Sequence, residues 1–481
     1  MAKKFYITNA IPYVNAPPHL GHALEFVQTD FFARVHRALE EDVFYLSGAD
    51  ENSLKNVLAA REKDISVEKL VTENTQRFEA LREPLNLSYN DFIHTSDRER
   101  HWPGARKLWK SCVESGDVYK KKYRGLYCVG CEEFKTEKDL IDGKCPEHDA
   151  DLEVVEEENY FFRLSRYQEQ LEEIIFSDKY QIVPEAKKNE VLAFIRSGLE
   201  DFSISRSVER AHGWGIPVPG DDSQIMYVWF DALANYITAL GYAENAPKFK
   251  EYWPADLHII GKGITRFHAI YWPAMLLSAG LSLPKKLFVH GYITVEGEKI
   301  SKSLGNAVDP QEIISQYNTV AVRYYLLRAF SPFGDGDFSR SELKAVYNAD
   351  LANGFGNLVS RVGSLCEKAN FSPSISKLSF SECLSSEMEE ALEKLAINIY
   401  LEKVKEEVTD LNHYVDKKKP WELLDDNSSE ELKTTLTYLV EGIYRVALLI
   451  RPATPKAVSP FFTQDAEFSF PVEEILFPRM D

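Results

Sequence analysis

The chain has 481 residues, too many for one hydrophobic core, so two to four domains are expected. With 44% hydrophobic and 27% charged residues it has the composition of a soluble globular protein, and no apolar run approaches the ~18 residues that a membrane-crossing helix needs. A formal charge of −19 excludes a uniformly basic nucleic-acid binder but leaves room for local basic patches.

From the N-terminus the sequence enters a strand, Phe5 to Thr8, with no signal-peptide core, which points to a cytoplasmic protein. A turn rich in proline (Pro12, Pro17, Pro18) follows, and a helix is expected from near Gly21 toward Leu39. At their junction stands His19-Leu20-Gly21-His22. This spacing sets two imidazoles beside a helix N-terminus, whose unpaired N–H groups and partial positive charge suit an anion. Gly21 lets a ligand approach the backbone. The string is short, and alone it also describes two surface histidines at a helix start. Val43 to Leu46 reads as the next strand, ending at Ser47-Gly48-Ala49-Asp50.

Later apolar runs repeat this texture: Ile225 to Trp229, Leu257 to Ile260 and Leu287 to His290, the last two flanking a helical segment from Phe267 to Ala279. Together they predict an α/β fold, a doubly wound parallel sheet split by an insertion. The expected segments are 1–117 and 224–293 for the sheet domain and 118–223 for the insertion. Within the insertion, Cys128-x2-Cys131-x13-Cys145-x2-His148 has the spacing of a closed tetrahedral zinc site, a knuckle at about 125–160. A neighbouring Asp or a water could replace His148. The other cysteines (Cys112, Cys366, Cys383) are scattered and read as small buried hydrophobes.

Beyond the sheet, Lys299-Ile300-Ser301-Lys302-Ser303 combines lysines with small residues in a 294–350 connecting region. Such a string makes a cationic flap, or simply a flexible surface loop. From 351 to 481 the periodicity becomes helical. The series Leu432, Leu436, Leu439, Ile443, Val446, Ile450 marks one face of a helix in an all-α bundle, with Asn370 to Ser386 a loop. Asn353, Asn357 and Arg361 share a stripe suited to reading bases, with Trp421 available for stacking. The same residues also fit ordinary helix-surface polarity. The basic runs Lys120–Lys122 and Lys417–Lys419 each carry aromatic neighbours, and each alone describes a solvated surface.

The chain as a whole resembles methionyl-tRNA synthetases, class I aminoacyl-tRNA synthetases, of the bacterial and organellar type with one zinc knuckle. The resemblance rests on Ala10-Ile11-Pro12-Tyr13 before His19–His22, the Cys3His cluster, Tyr227-Val228-Trp229-Phe230-Asp231-Ala232 and Ile260-Gly261-Lys262. It extends to Phe267-His268, Trp272-Pro273, the Lys299–Ser303 loop, Asn357–Arg361 and Lys419-Pro420-Trp421. It implies a Rossmann-like catalytic domain and formation of methionyl-adenylate from ATP and L-methionine, followed by transfer to tRNA(Met). By position it implies catalytic roles for His19, His22 and Lys302, and ATP binding by these with Gly21, Lys299 and Ser301, Mg²⁺ accompanying the phosphates. Ile11, Tyr13, Trp229, Ala232, Tyr236, Ile264, His268 and Trp272 would line the methionine pocket, with Tyr13 and His268 offering a weak hydrogen bond to the sulfur, and Asp50 would hold the ammonium. Asn357, Arg361 and Trp421 would read the anticodon. Cys128, Cys131, Cys145 and His148 would hold one structural Zn²⁺.

Three positions depart from the pattern: Gly263 where an acidic residue is usual, Asn52-Ser53 where His-Gly is common, and Ile300 in place of methionine. The first two bear on the ribose and the reacting centre. No appended tRNA-binding domain follows the bundle, so a monomer is expected. Synthetases with large editing insertions do not fit an insertion this short, and cysteine enzymes place their zinc elsewhere. A small nucleotidyltransferase would lack the bundle. A non-catalytic paralogue that binds tRNA or protein is opposed by His19, His22 and Lys302.

Overall fold

The computed structural model describes residues 2–128, 130, 133–135, 140–145, 151–295, 297–299, 308–424, 429–462 and 476–480. At its centre lies a six-stranded sheet formed by β1 (Lys4–Asn9), β2 (Asp42–Ala49), β3 (Asp91–His94), β4 (Gln181–Val183), β5 (Leu257–Gly261) and β6 (Lys286–His290), in the order β3-β2-β1-β5-β6-β4. Every ladder is parallel, with Phe5 opposite Val43 and Ile7 opposite Leu257. Tyr6 and Ile7 point to opposite faces and both are fully buried, as expected for strands covered on both sides. Helix α1 (Leu20–Ala38) packs its apolar side against the sheet. The order reverses between β1 and β5, and at such a switch point the loops leaving the strand ends diverge and open a crevice.

Two sheet strands escape the sequence reading. β3 is four residues long and β4 three, too short to show a period. β4 lies within 118–223, so that segment is not wholly an excursion: it returns to the sheet edge, where Leu287 pairs with Ile182. The run Ile225 to Trp229, expected as a strand, instead straddles two elements. Asp221–Met226 is a strand of a small antiparallel sheet, and Val228–Leu233 is a helix that turns Trp229 and Asp231 inward.

The rest of the insertion forms a four-stranded antiparallel sheet built on the pairing of Val118–Cys128 with Glu153–Phe162. Cys128 ends the first of these strands and is buried, as is Cys145; Cys131 and His148 lie outside the described residues. Beyond the sheet domain, helices Asn357–Lys368, Ile397–Lys418 and Glu430–Ile450 form the bundle, close to the periods read from sequence. Arg323 joins the two regions. Its buried guanidinium lies 2.8 Å from Asp30 on α1 and donates to the carbonyls of Leu85, Pro452 and Ala453.

Candidate active site

His19 is the N-cap of α1. Its Nδ1 accepts from the Gly21 amide at 3.1 Å, and His22 Nδ1 accepts from the His19 amide at 3.1 Å. Both Nδ1 atoms are therefore acceptors, which leaves each ring's proton on Nε2. The rings stack with centroids 3.9 Å apart. Burial lowers the His19 pKa to about 4, and burial together with neighbouring His19 holds His22 well below its ordinary value. At neutral pH the pair is thus two uncharged N–H donors beside a helix N-terminus. A Cβ at Gly21 would stand 2.9 Å from the His19 ring and would push that ring from its place.

A cavity of about 260 Å³ opens over these rings, walled across from them by Gly261, His290, Gly291, Tyr292 and Ile293. His290 Nε2 lies 2.9 Å from the Glu25 carboxylate, tying β6 to α1 at the cavity wall. The Lys299 loop is rooted nearby. Residues Glu298–Lys299 pair with Ile293–Val295, Lys299 opposite Thr294, immediately after the cavity-lining segment. Ser301 and Lys302 lie outside the described residues.

Alongside is a second, aromatic enclosure. Tyr13 bridges to Asp50 at the ends of β1 and β2, and the Asp50 amide donates to Pro12. Ile11 packs over Gly48, where a Cβ would stand 2.4 Å from the Ile93 carbonyl. The Trp229 ring stacks on Phe267 at 3.8 Å and meets Tyr13 edge-on at 6.1 Å. Tyr236 lies 6.0 Å from the buried Trp272. Ala232 is buried on the Trp229 helix, and its carbonyl accepts from Asn235. The Trp229 and Trp272 indole N–H groups are buried without acceptors among the described residues. The sequence thus brings together Ile11, Tyr13, Asp50, Trp229, Ala232, Tyr236, Ile264, His268 and Trp272 around the switch point.

One expectation changes here. His268 was expected to offer a hydrogen bond to a sulfur atom. Its Nδ1 instead lies 3.0 Å from the Ile264 carbonyl and its Nε2 2.8 Å from the Tyr236 hydroxyl. The ring proton is given to Ile264, and Nε2 accepts from Tyr236, so His268 shapes the wall rather than donating from it. Burial lowers its pKa to about 4, which keeps it neutral.

Several residues at this site carried no role in the sequence reading. Asn52 donates to the Thr95 carbonyl and to Asp231, and Asp231 in turn lies 2.7 Å from His101 Nε2. Asn52 is absorbed into a buried polar network rather than aimed at a ligand. Next to Asp50, Glu51 pairs with His94 at 3.0 Å, and its carboxylate raises the His94 pKa. Asp231 stood within a quoted motif; His101, Glu51 and His94 had no sequence signal beyond their residue type.

On the bundle, Asn357 and Trp421 are exposed. Arg361 pairs with Asp416 at 2.7 Å and sits 6.0 Å above the Trp421 ring. The stripe that includes Asn353 crosses from the wide-turned helix Tyr347–Gly356 into the regular helix that begins at Asn357. A further cavity of about 680 Å³ separates the insertion sheet from the core, its core side bounded by Tyr227, Arg266 and Tyr271.

A parallel sheet with paired histidines capping the first helix at its switch point, and a helical bundle behind, defines a class I aminoacyl-tRNA synthetase. The family model for tRNA synthetases class I (M) matches residues 5–153 and 148–363. The methionine–tRNA ligase of Caldanaerobacter subterraneus is 41% identical over all of this chain and 80% of its own length. That of Thermotoga maritima is 40% identical over 95% of this chain and 75% of its own. The Mycobacterium tuberculosis methionyl-tRNA synthetase in complex with methionyl-adenylate superposes with a TM-score of 0.92 at 35% identity, covering 99% of this chain and all of that one. The chain belongs to the methionyl-tRNA synthetase family.

Proposed function

We propose that the chain ligates methionine to its tRNA: ATP + L-methionine + tRNA(Met) give AMP, diphosphate and L-methionyl-tRNA(Met), by way of methionyl-adenylate. One observation carries this reading: two neutral imidazole donors capping a helix in one cavity, beside an aromatic enclosure that ends at Asp50. In the first step the methionine carboxylate attacks the α-phosphorus and the bond to diphosphate breaks. The Nε2–H groups of His19 and His22 and the α1 N-terminus meet the negative charge as it grows, when such donors contribute most. Lys302, with Lys299 and Ser301, reaches the leaving diphosphate from its loop, and Gly21 admits the phosphates. Mg²⁺ arrives with ATP. Asp50 takes the substrate ammonium. Ile11, Tyr13, Trp229, Ala232, Tyr236, Ile264, His268 and Trp272 surround the thioether, which aromatic rings bind well.

The same reading assigns anticodon recognition to Asn357, Arg361 and Trp421. It assigns one structural Zn²⁺ to Cys128, Cys131, Cys145 and His148, and two buried cysteines at the strand end and the following turn fit that donor set. No helix among the described residues is long and apolar enough to cross a membrane. The chain acts as a monomer in the cytoplasm, where its tRNA is. The test is amino-acid-dependent ATP–diphosphate exchange against all twenty amino acids. Methionine alone should support rapid exchange; equal exchange with another amino acid, or none with any, overturns the assignment.

A further inference from the structure

In the proposed function the two ends of the amino acid fall to separate parts of the fold. Asp50, just after β2, takes the ammonium, and Trp229, on the helix Val228–Leu233 that follows the insertion, helps surround the thioether. The backbone around Asp50 has each of its polar groups held. The Asp50 amide donates to the Pro12 carbonyl at 2.8 Å, and the Asp50 carbonyl accepts from the Asn56 side chain at 3.2 Å. The Glu51 amide donates to the Thr95 hydroxyl at 2.8 Å. The Glu51 carbonyl accepts twice, from Asn56 at 2.9 Å and from the Trp214 indole N–H at 2.7 Å. Of these partners, Trp214 alone belongs to the insertion.

The local chain is shaped to deliver that indole. Gly213 and Gly215 take left-handed angles, φ +71° and +119°, and a Cβ on Gly215 would stand 2.7 Å from the Ile225 side chain. The half-buried Trp214 ring packs against a cluster that joins Leu54 and Val57 of the helix Leu54–Glu62 to Tyr127 and Val155 of the insertion sheet. Just beyond, the Ile216 carbonyl accepts from the Met226 amide at 2.8 Å, and Pro217 pairs with Ile225. The strand Asp221–Met226 then leads directly into the Trp229 helix. Trp214 thus ties the loop that carries Asp50 to the small sheet that leads to Trp229. From this arrangement we infer that Trp214 is a positioning residue for the amino-acid substrate. By fixing the Glu51 carbonyl it sets the place of Asp50 relative to the aromatic enclosure, and so the hold on the substrate ammonium. This deepens the proposed function and rests on it. The ring alone would serve packing, but a hydrogen bond also fixes direction, because it weakens steeply as its angle departs from linear. Asn56 still bonds the Glu51 carbonyl when the indole N–H is removed, so no bare acceptor is left and the fold should survive.

The test uses the full chain in methionine-dependent ATP–diphosphate exchange, with two inhibitors. Methioninol keeps the ammonium and lacks the carboxylate; desamino-methionine keeps the carboxylate and lacks the ammonium. In Trp214→Phe the KM for methionine and the Ki of methioninol should both rise about fivefold, the scale of one lost hydrogen bond. The Ki of desamino-methionine, the KM for ATP and kcat should change little. Replacing Trp214 by benzothienylalanine, which keeps the ring's shape and lacks the N–H, should give the same pattern without a change in packing. An unchanged KM for methionine, or equal weakening of both inhibitors, in either variant at the parent's thermal midpoint overturns the inference while the ligase assignment stands. In the parent protein, equal affinity for methionine and desamino-methionine would overturn the role of Asp50 and the inference with it. Absence of methionine-dependent exchange there would overturn the ligase assignment itself.

Discussion

His19 and His22 cap the same helix end through each other: each Nδ1 takes a backbone amide, and their rings stack at 3.9 Å. Structure and chemistry are thereby divided between the two nitrogens of each ring. Asparagine caps helices well, so His19→Asn should preserve the fold while deleting the outward Nε2–H. Diphosphate exchange should fall about 10²–10³-fold at an unchanged thermal midpoint. His19→Ala should lose the cap as well, lowering stability by about 1 kcal/mol in urea unfolding.

Arg323 and Asp30 make a second test, of how the bundle is fastened to the sheet domain. Both side chains are buried, and the guanidinium also satisfies three carbonyls. Arg323→Met should destabilise by about 3 kcal/mol, toward the low end for a broken buried pair because Arg34 still faces Asp30. Adding Asp30→Leu should recover part of the loss. The readout is the denaturation midpoint by tryptophan fluorescence.

Acid should weaken the fold through its buried histidines. His19 and His268 hold pKa values of about 4, against about 6.5 in an unfolded chain. Between those limits the unfolded state binds protons that the folded state refuses, so stability falls as pH drops from about 6.5 toward 4 and is flat above that window. His268→Gln should make the decline of the thermal midpoint between pH 7 and 4.5 shallower.

Trp421→Ala addresses tRNA recognition apart from amino-acid activation. The exposed ring carries Arg361 above it and lies on the bundle, away from the sheet's switch point. KM for tRNA in the charging assay should rise about tenfold, the scale of one lost base stack. Methionine-dependent diphosphate exchange should not change.

The paired histidines were legible because their partners lie within three residues, so spacing alone states the geometry. The bundle was legible because its helices are long enough to repeat. The Asn52–Asp231–His101 network was not: its members lie 179 and 130 residues apart along the chain, and only the closed sheet brings them together. Nor was it legible that His268 gives its ring proton to the Ile264 carbonyl, because that contact depends on the helical path between the two residues and not on their types.

Strand β4 has a practical consequence for anyone trimming this enzyme. Cutting out 118–223 and closing the gap would strip the outer neighbour from β6 and leave Lys286 to Phe288 with bare amides and carbonyls along one side. An uncovered parallel edge of that kind recruits other chains. A smaller version of the protein has to keep residues 181–183 and the helix Glu185–Arg196 behind them.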